Sequence, residues 1–74
     1  MKITIESTDK IVHLNGIPAR IWEGETASGI HVHCFITRIA VGKDEPRIEE
    51  FEEELEETVS PSPEIDAYPS RLII

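Results

Sequence analysis

Asn15-Gly16 stands between two apolar runs, Ile11-Val12-His13-Leu14 and Ile17-Pro18-Ala19-Arg20-Ile21-Trp22. No other feature constrains the fold as tightly. A two-residue type I′ turn needs positive φ at both central positions, which Asn and Gly tolerate best. Fixing the turn fixes the register. Leu14 then faces Ile17, Val12 faces Ala19 and Lys10 faces Ile21 on one side of the sheet. His13 faces Pro18 and Ile11 faces Arg20 on the other side, where Trp22 also points. Pro18 lacks an N–H, which predicts an edge or a local break there.

Around this hairpin the chain reads as a β-meander. Ile3 and Ile5 alternate within Met1 to Glu6, and Ser7-Thr8-Asp9-Lys10 is turn-rich. Glu23 to Gly29 reads as a second, looser connection. Ile30 to Val41 reads as a long strand, with Val32, Cys34 and Ile36 on one face and His31, His33 and Phe35 on the other. After Gly42 the period changes. Ile48, Phe51, Leu55 and Val59 form an apolar edge at helical spacing, with Pro46 in the first turn and Asp44 or Glu45 as the cap. Ser60-Pro61-Ser62-Pro63 cannot continue that helix and reads as an extended linker. Leu72-Ile73-Ile74 predicts a docked tail, as a strand added to this sheet or to a partner's.

These elements predict one α+β domain over residues 1–74. Residues 1–42 form an antiparallel meander of three to four strands. Residues 44–59 form an acidic amphipathic helix on one face, and 60–74 an extended tail. Seventy-four residues bury only about 60% of their unfolded surface, so dimerisation is an expected additional support. The single cysteine, Cys34, rules out an internal disulfide. With no signal-peptide pattern, it fits a reducing cytoplasm. The apolar runs are too short to span a membrane.

The net charge of −8 has one source. Asp44 to Glu57 holds nine acids and one base, and the remaining residues balance. Glu49, Glu50, Glu53, Glu54 and Glu57 give the helix a like-charged face. Pairs at i, i+4 each cost a few tenths of a kcal/mol, which packing of the apolar edge must offset. Direct binding to nucleic acid or anionic lipid is disfavoured there, and a basic protein surface is favoured. General acid–base pairing among these glutamates is the weaker reading, because a solvated, mutually repelling face explains them.

His31 and His33, two apart in a strand, stand roughly 6.5–7 Å apart on one face. With His13 they could hold a transition metal, but no carboxylate or cysteine joins them at ligand spacing, and no metal or cofactor is expected. Cys34 and His33 face opposite sides, which removes a nucleophile–base pair, and Cys34 reads as a small core residue. No Gly-rich phosphate loop is present. The chain is expected not to be an enzyme. The sheet face carrying Ile11, His13, Arg20, Trp22, His31, His33 and Phe35 is the candidate binding surface, since aromatic residues and Arg are enriched at interface hot spots. The alternative is that the tail or a second copy covers it.

The stretch Pro18-Ala19-Arg20-Ile21-Trp22-Glu23-Gly24, with Val32-His33-Cys34-Phe35-Ile36-Thr37-Arg38, resembles small proteins encoded by phages and prophages. The resemblance extends over most of the chain and implies a genomic setting but no chemistry. By analogy with small acidic phage proteins, it implies a stoichiometric inhibitor of a host defence complex, anti-CRISPR-like, acting in the host cytoplasm. Such a protein would occlude a basic surface on a host protein or nucleoprotein complex. Two alternatives stay open: a nucleotide-sequestering protein using Arg20, Trp22, His31 and His33, and a purely structural dimeric accessory protein.

Overall fold

The computed structural model describes residues 1–73, and Ile74 lies outside the described residues. The fold is α+β. Strands β1 (Ile3–Leu14), β2 (Ile17–Thr26) and β3 (His31–Ile36) form an antiparallel meander. They are followed by helices α1 (Ile48–Glu56) and α2 (Pro63–Asp66) and strand β4 (Arg71–Leu72). The four strands make one mixed sheet in the order β3-β2-β1-β4, because β4 runs parallel to β1.

The Asn15-Gly16 hairpin folds as its sequence dictates. Both residues have positive φ, 52° and 85°. Leu14 pairs with Ile17, Val12 with Ala19, His13 with Pro18 and Ile11 with Arg20. The expected pairing of Lys10 with Ile21 does not form. The register shifts between Ser7 and Ile11, so Thr8, Asp9 and Lys10 together stand opposite Ile21. The turn-rich Ser7–Lys10 segment is therefore a bulge inside one long strand, not a loop between two. Thr8 holds the bulge. It is fully buried, its hydroxyl donates to the Ile21 carbonyl at 2.6 Å, and the Lys10 N–H donates to the same hydroxyl at 3.3 Å. Arg20 adds a 2.8 Å bond to the Thr8 carbonyl. The bulge's extra polar groups are thereby satisfied internally.

The core lies on one face only. Val12, Ala19, Ile21 and Ile65 are buried, with Leu14, Phe35, Tyr68 and Leu72 packed around them. Ile65 comes from the tail, which is not extended as expected. Ser62 caps α2, accepting from the Ile65 N–H, and Pro63 takes the first turn. Serine before proline is a helix start, because proline's fixed φ suits that turn and it has no N–H to leave unpaired. Full burial of a side chain like Ile65 is worth about 1.5–3 kcal/mol. The tail then runs along β1, with the His13 N–H bonded to the Ser70 carbonyl and the Asn15 N–H to that of Leu72. The anticipated strand addition to this sheet is β4.

Helix α1 is shorter than the expected 44–59. Its N-cap position is Arg47, with no side-chain cap. Glu45, expected as a cap, accepts instead from the Arg47 N–H in the preceding turn. The helix ends at Glu56 for two reasons. Its last turn has no basic residue to meet the negative end of the dipole. Val59 is also drawn into backbone pairing with β1, donating to Ser7 and accepting from Asp9. The expected packing of the apolar edge is correspondingly weak. No α1 residue is buried, and Ile48 and Leu55 each remain 41% exposed.

Candidate functional site

The candidate face divides between the two sides of the sheet. Trp22 pairs with Cys34, Arg20 with Ile36 and Ile21 with Phe35. Directly paired residues share a face. Arg20 and Trp22 therefore lie with Ile11, His13, Cys34 and Ile36. His33, Phe35 and His31 lie on the opposite side with Ile21. The cause is the β2–β3 connection, which is tight rather than loose. Strand β2 continues to Thr26, whose N–H bonds the Ile30 carbonyl across three loop residues. Gly29 supplies the positive φ, 90°, that closes this loop. An odd loop length pairs even positions with even positions, so Trp22 cannot share a face with His33.

The two halves have different fates. His33 and Phe35 are covered by the tail. Tyr68 stacks edge-on against both rings, at centroid distances of 5.6 Å and 5.3 Å. Its hydroxyl lies 2.9 Å from His33 Nδ1. His33 Nε2 is 3.8 Å from Glu64, which is mostly exposed. Glu23, opposite His33 on β2, accepts the Ser62 N–H at 2.9 Å. That bond is the main reason the Glu23 carboxyl is held below its usual pKa, against an opposing push from burial; the Ser62 hydroxyl and the charges of His33 and His31 add to the lowering. These groups clasp the tail to the sheet. His31 stays at the margin, 3.7 Å from Glu25.

The Trp22 half stays open. Ile11, Pro18, Arg20, Trp22, Ile36, Arg38, Ile39 and Leu55 line a cleft of about 260 Å³. Leu55 brings α1 to this side. A neighbouring depression is lined by Trp22, Ser7, Glu54 and Glu57. The apolar floor is thus bordered by Glu54 and Glu57 on the α1 side and lined by Arg20 and Arg38 within the cleft, and Ile11, Ile39 and Leu55 each expose two-fifths or more of their surface. Of the sequence-derived acids, Glu54 and Glu57 border Trp22. Glu50 is taken up by a two-point ion pair with Arg47, which lowers the Glu50 pKa and raises that of Arg47. Glu49 and Glu53 are exposed on α1. His13 lies by Gly16, Arg71 and Leu72 at the tail edge. Cys34 is a free, half-buried thiol on the Trp22 side rather than a member of the buried core.

Sequence reasoning missed Leu55, Ile39 and Arg38 as cleft residues. Leu55 was legible as part of the helical stripe, but its neighbour on the sheet was not. Among the described residues, no three His, Cys, Asp or Glu side chains are grouped to hold a metal ion. No helix among them is long and apolar enough to cross a membrane. Compared with known proteins, the chain matches no family model, no curated protein and no solved structure.

Proposed function

We propose that this chain is a non-catalytic binding protein that occludes a basic surface of a partner protein. One observation carries this reading: the open apolar cleft at Trp22 and the glutamate helix occupy the same side of the molecule, joined by Leu55, Glu54 and Glu57. Arg20 and Arg38 also line the cleft, so its negative border is the α1 side alone. An apolar anchor site beside that acidic border suits a partner whose apolar side chain has Lys or Arg on one flank. Six of the nine α1 residues are glutamate and none is buried, so the helix adds charge to that side rather than core. In the phage setting that the sequence resembles, the target class is a host defence complex whose basic groove normally holds nucleic acid. Nucleotide sequestration is less favoured, because its four residues divide between the two faces.

The test measures nucleic-acid loading by purified defence nucleoprotein complexes, with and without the chain. A block that saturates at equimolar chain and is lost in the triple variant E53K/E54K/E57K supports occlusion. W22A should weaken the same block while leaving the circular dichroism unchanged. A block that survives both variants removes this side of the molecule from the mechanism.

A further inference from the structure

The β3 edge of the sheet is unguarded along its whole length among the described residues. On the β1 side, backbone bonds from Val59, Ser70 and Leu72 occupy the outward groups of Ser7, Asp9, His13 and Asn15. Strand β3 is the opposite edge, and among the described residues no backbone bond reaches it from outside the sheet. Natural edges are usually blunted by Lys, Pro or a bulge. His31-Val32-His33-Cys34-Phe35-Ile36 has none of these, and its register with β2 is unbroken.

The ladder shows which groups are open. The Thr26 N–H donates to the Ile30 carbonyl and the Ile30 N–H to the Thr26 hydroxyl, so both residues turn their polar groups inward. Alternation then makes Gly24–Val32, Trp22–Cys34 and Arg20–Ile36 hydrogen-bonded pairs as well. The N–H and C=O groups of His31, His33 and Phe35 therefore point away from the sheet.

The geometry points to β3 as the docking edge for an extended, basic segment of a partner protein, added as a fifth strand. Side chains of such a segment alternate between faces. Those on the tail-covered face lie near Glu64, whose side chain is 76% exposed at 3.8 Å from His33. Those on the other face lie beside Val32, Cys34 and Ile36. The edge thus fits a strand that alternates Lys or Arg with an apolar residue, with the exposed carboxylates of Glu64 and Glu25 beside His33 and His31 supplying the complementary charge. The inference does not depend on what the Trp22 cleft binds.

The probe is a synthetic peptide of alternating lysine and valine, matched in length to the six residues of β3. Amide hydrogen exchange is read by NMR on the full chain. The peptide should slow exchange at His31, His33 and Phe35 by about tenfold or more, while Val32, Cys34 and Ile36 are already slow. A peptide N-methylated on the amides that would face β3 should have no effect. E64K should weaken peptide binding about threefold, in line with one exposed ion pair. Leu55→Ala, which alters the cleft from α1 without touching β2 or β3, should leave the exchange pattern intact, which separates this edge from the cleft. The inference is overturned if millimolar peptide slows none of the three amides, or if the N-methylated peptide works equally well. It is also overturned if the three amides are already protected in a chain that sediments as a dimer, since a second copy then holds the edge.

Discussion

The Thr8 hydroxyl donates a 2.6 Å hydrogen bond to the carbonyl oxygen of Ile21, with both residues fully buried. This contact decides where β1 changes register, and so which faces the two halves of the strand present. Thr8→Val keeps the volume but leaves the Ile21 carbonyl and the Lys10 N–H short of a partner. The expected cost is about 1–3 kcal/mol. Urea unfolding followed by circular dichroism measures it, and an unchanged midpoint would show that the hydroxyl does not hold the bulge.

Glu23 makes tail docking sensitive to acid. Its folded-state pKa lies below the ordinary 4.5, chiefly because its carboxylate accepts the Ser62 N–H. A depressed pKa contributes stability that is present above the unfolded value and lost as pH falls through the folded one. Stability should therefore decline as pH drops below about 4.5, and Glu23→Gln should flatten that decline. Urea midpoints for both chains at stepped pH provide the check. Parallel curves would mean that the Glu23 contact does not contribute.

Gly24 is required by a close approach rather than by its φ. A Cβ there would land on the Thr4 carbonyl oxygen and crowd the Ile5 backbone. Gly24→Ala must push β1 and β2 apart, at an expected cost of about 1–3 kcal/mol. The thermal midpoint should fall, and the amides of Thr4 to Glu6 should exchange faster. A midpoint at or above that of the parent would refute the close approach.

Trp22 is the only tryptophan, which makes its surroundings measurable. Glu54 and Glu57 border it on one side, with Arg20 and Arg38 in the cleft, so iodide quenching relative to neutral acrylamide reports the balance of charge around it. E54K/E57K should raise iodide quenching and leave acrylamide quenching unchanged. If the iodide-to-acrylamide ratio does not move, α1 does not stand beside Trp22.

The legible part of the fold was the part fixed by local backbone chemistry. Asn15-Gly16 dictated its turn, and four pairings followed. The acidic helix was visible in its period, although its final turn was lost to Val59's pairing with β1, a contact between distant residues. The bulge at Thr8 was hidden because turn-forming residues also suit bulges, and only the buried Ile21 carbonyl distinguishes them. The division of the candidate face turned on loop parity. Ser28-Gly29 carried that information, since a three-residue connection closes with Gly in the left-handed region. The tail helix was announced by Ser62-Pro63, which also reads as a linker when the apolar face awaiting Ile65 is out of view.

The tail's attachment to β1 also sets an order of events in time. The hairpin closes over two residues, whereas the contact between Lys10 and Asp66 of the tail spans 56 positions. Closing the longer loop costs more entropy and delivers its contacts later. Substitutions at the Asn15-Gly16 turn should therefore slow folding. Ile65→Ala, expected to cost about 2–5 kcal/mol, should instead act mainly by speeding unfolding. A stopped-flow chevron in urea distinguishes the two limbs. The last segment to settle is then the one that seals the sheet's β1 edge, and the lifetime of the native state is governed by how firmly that seal holds.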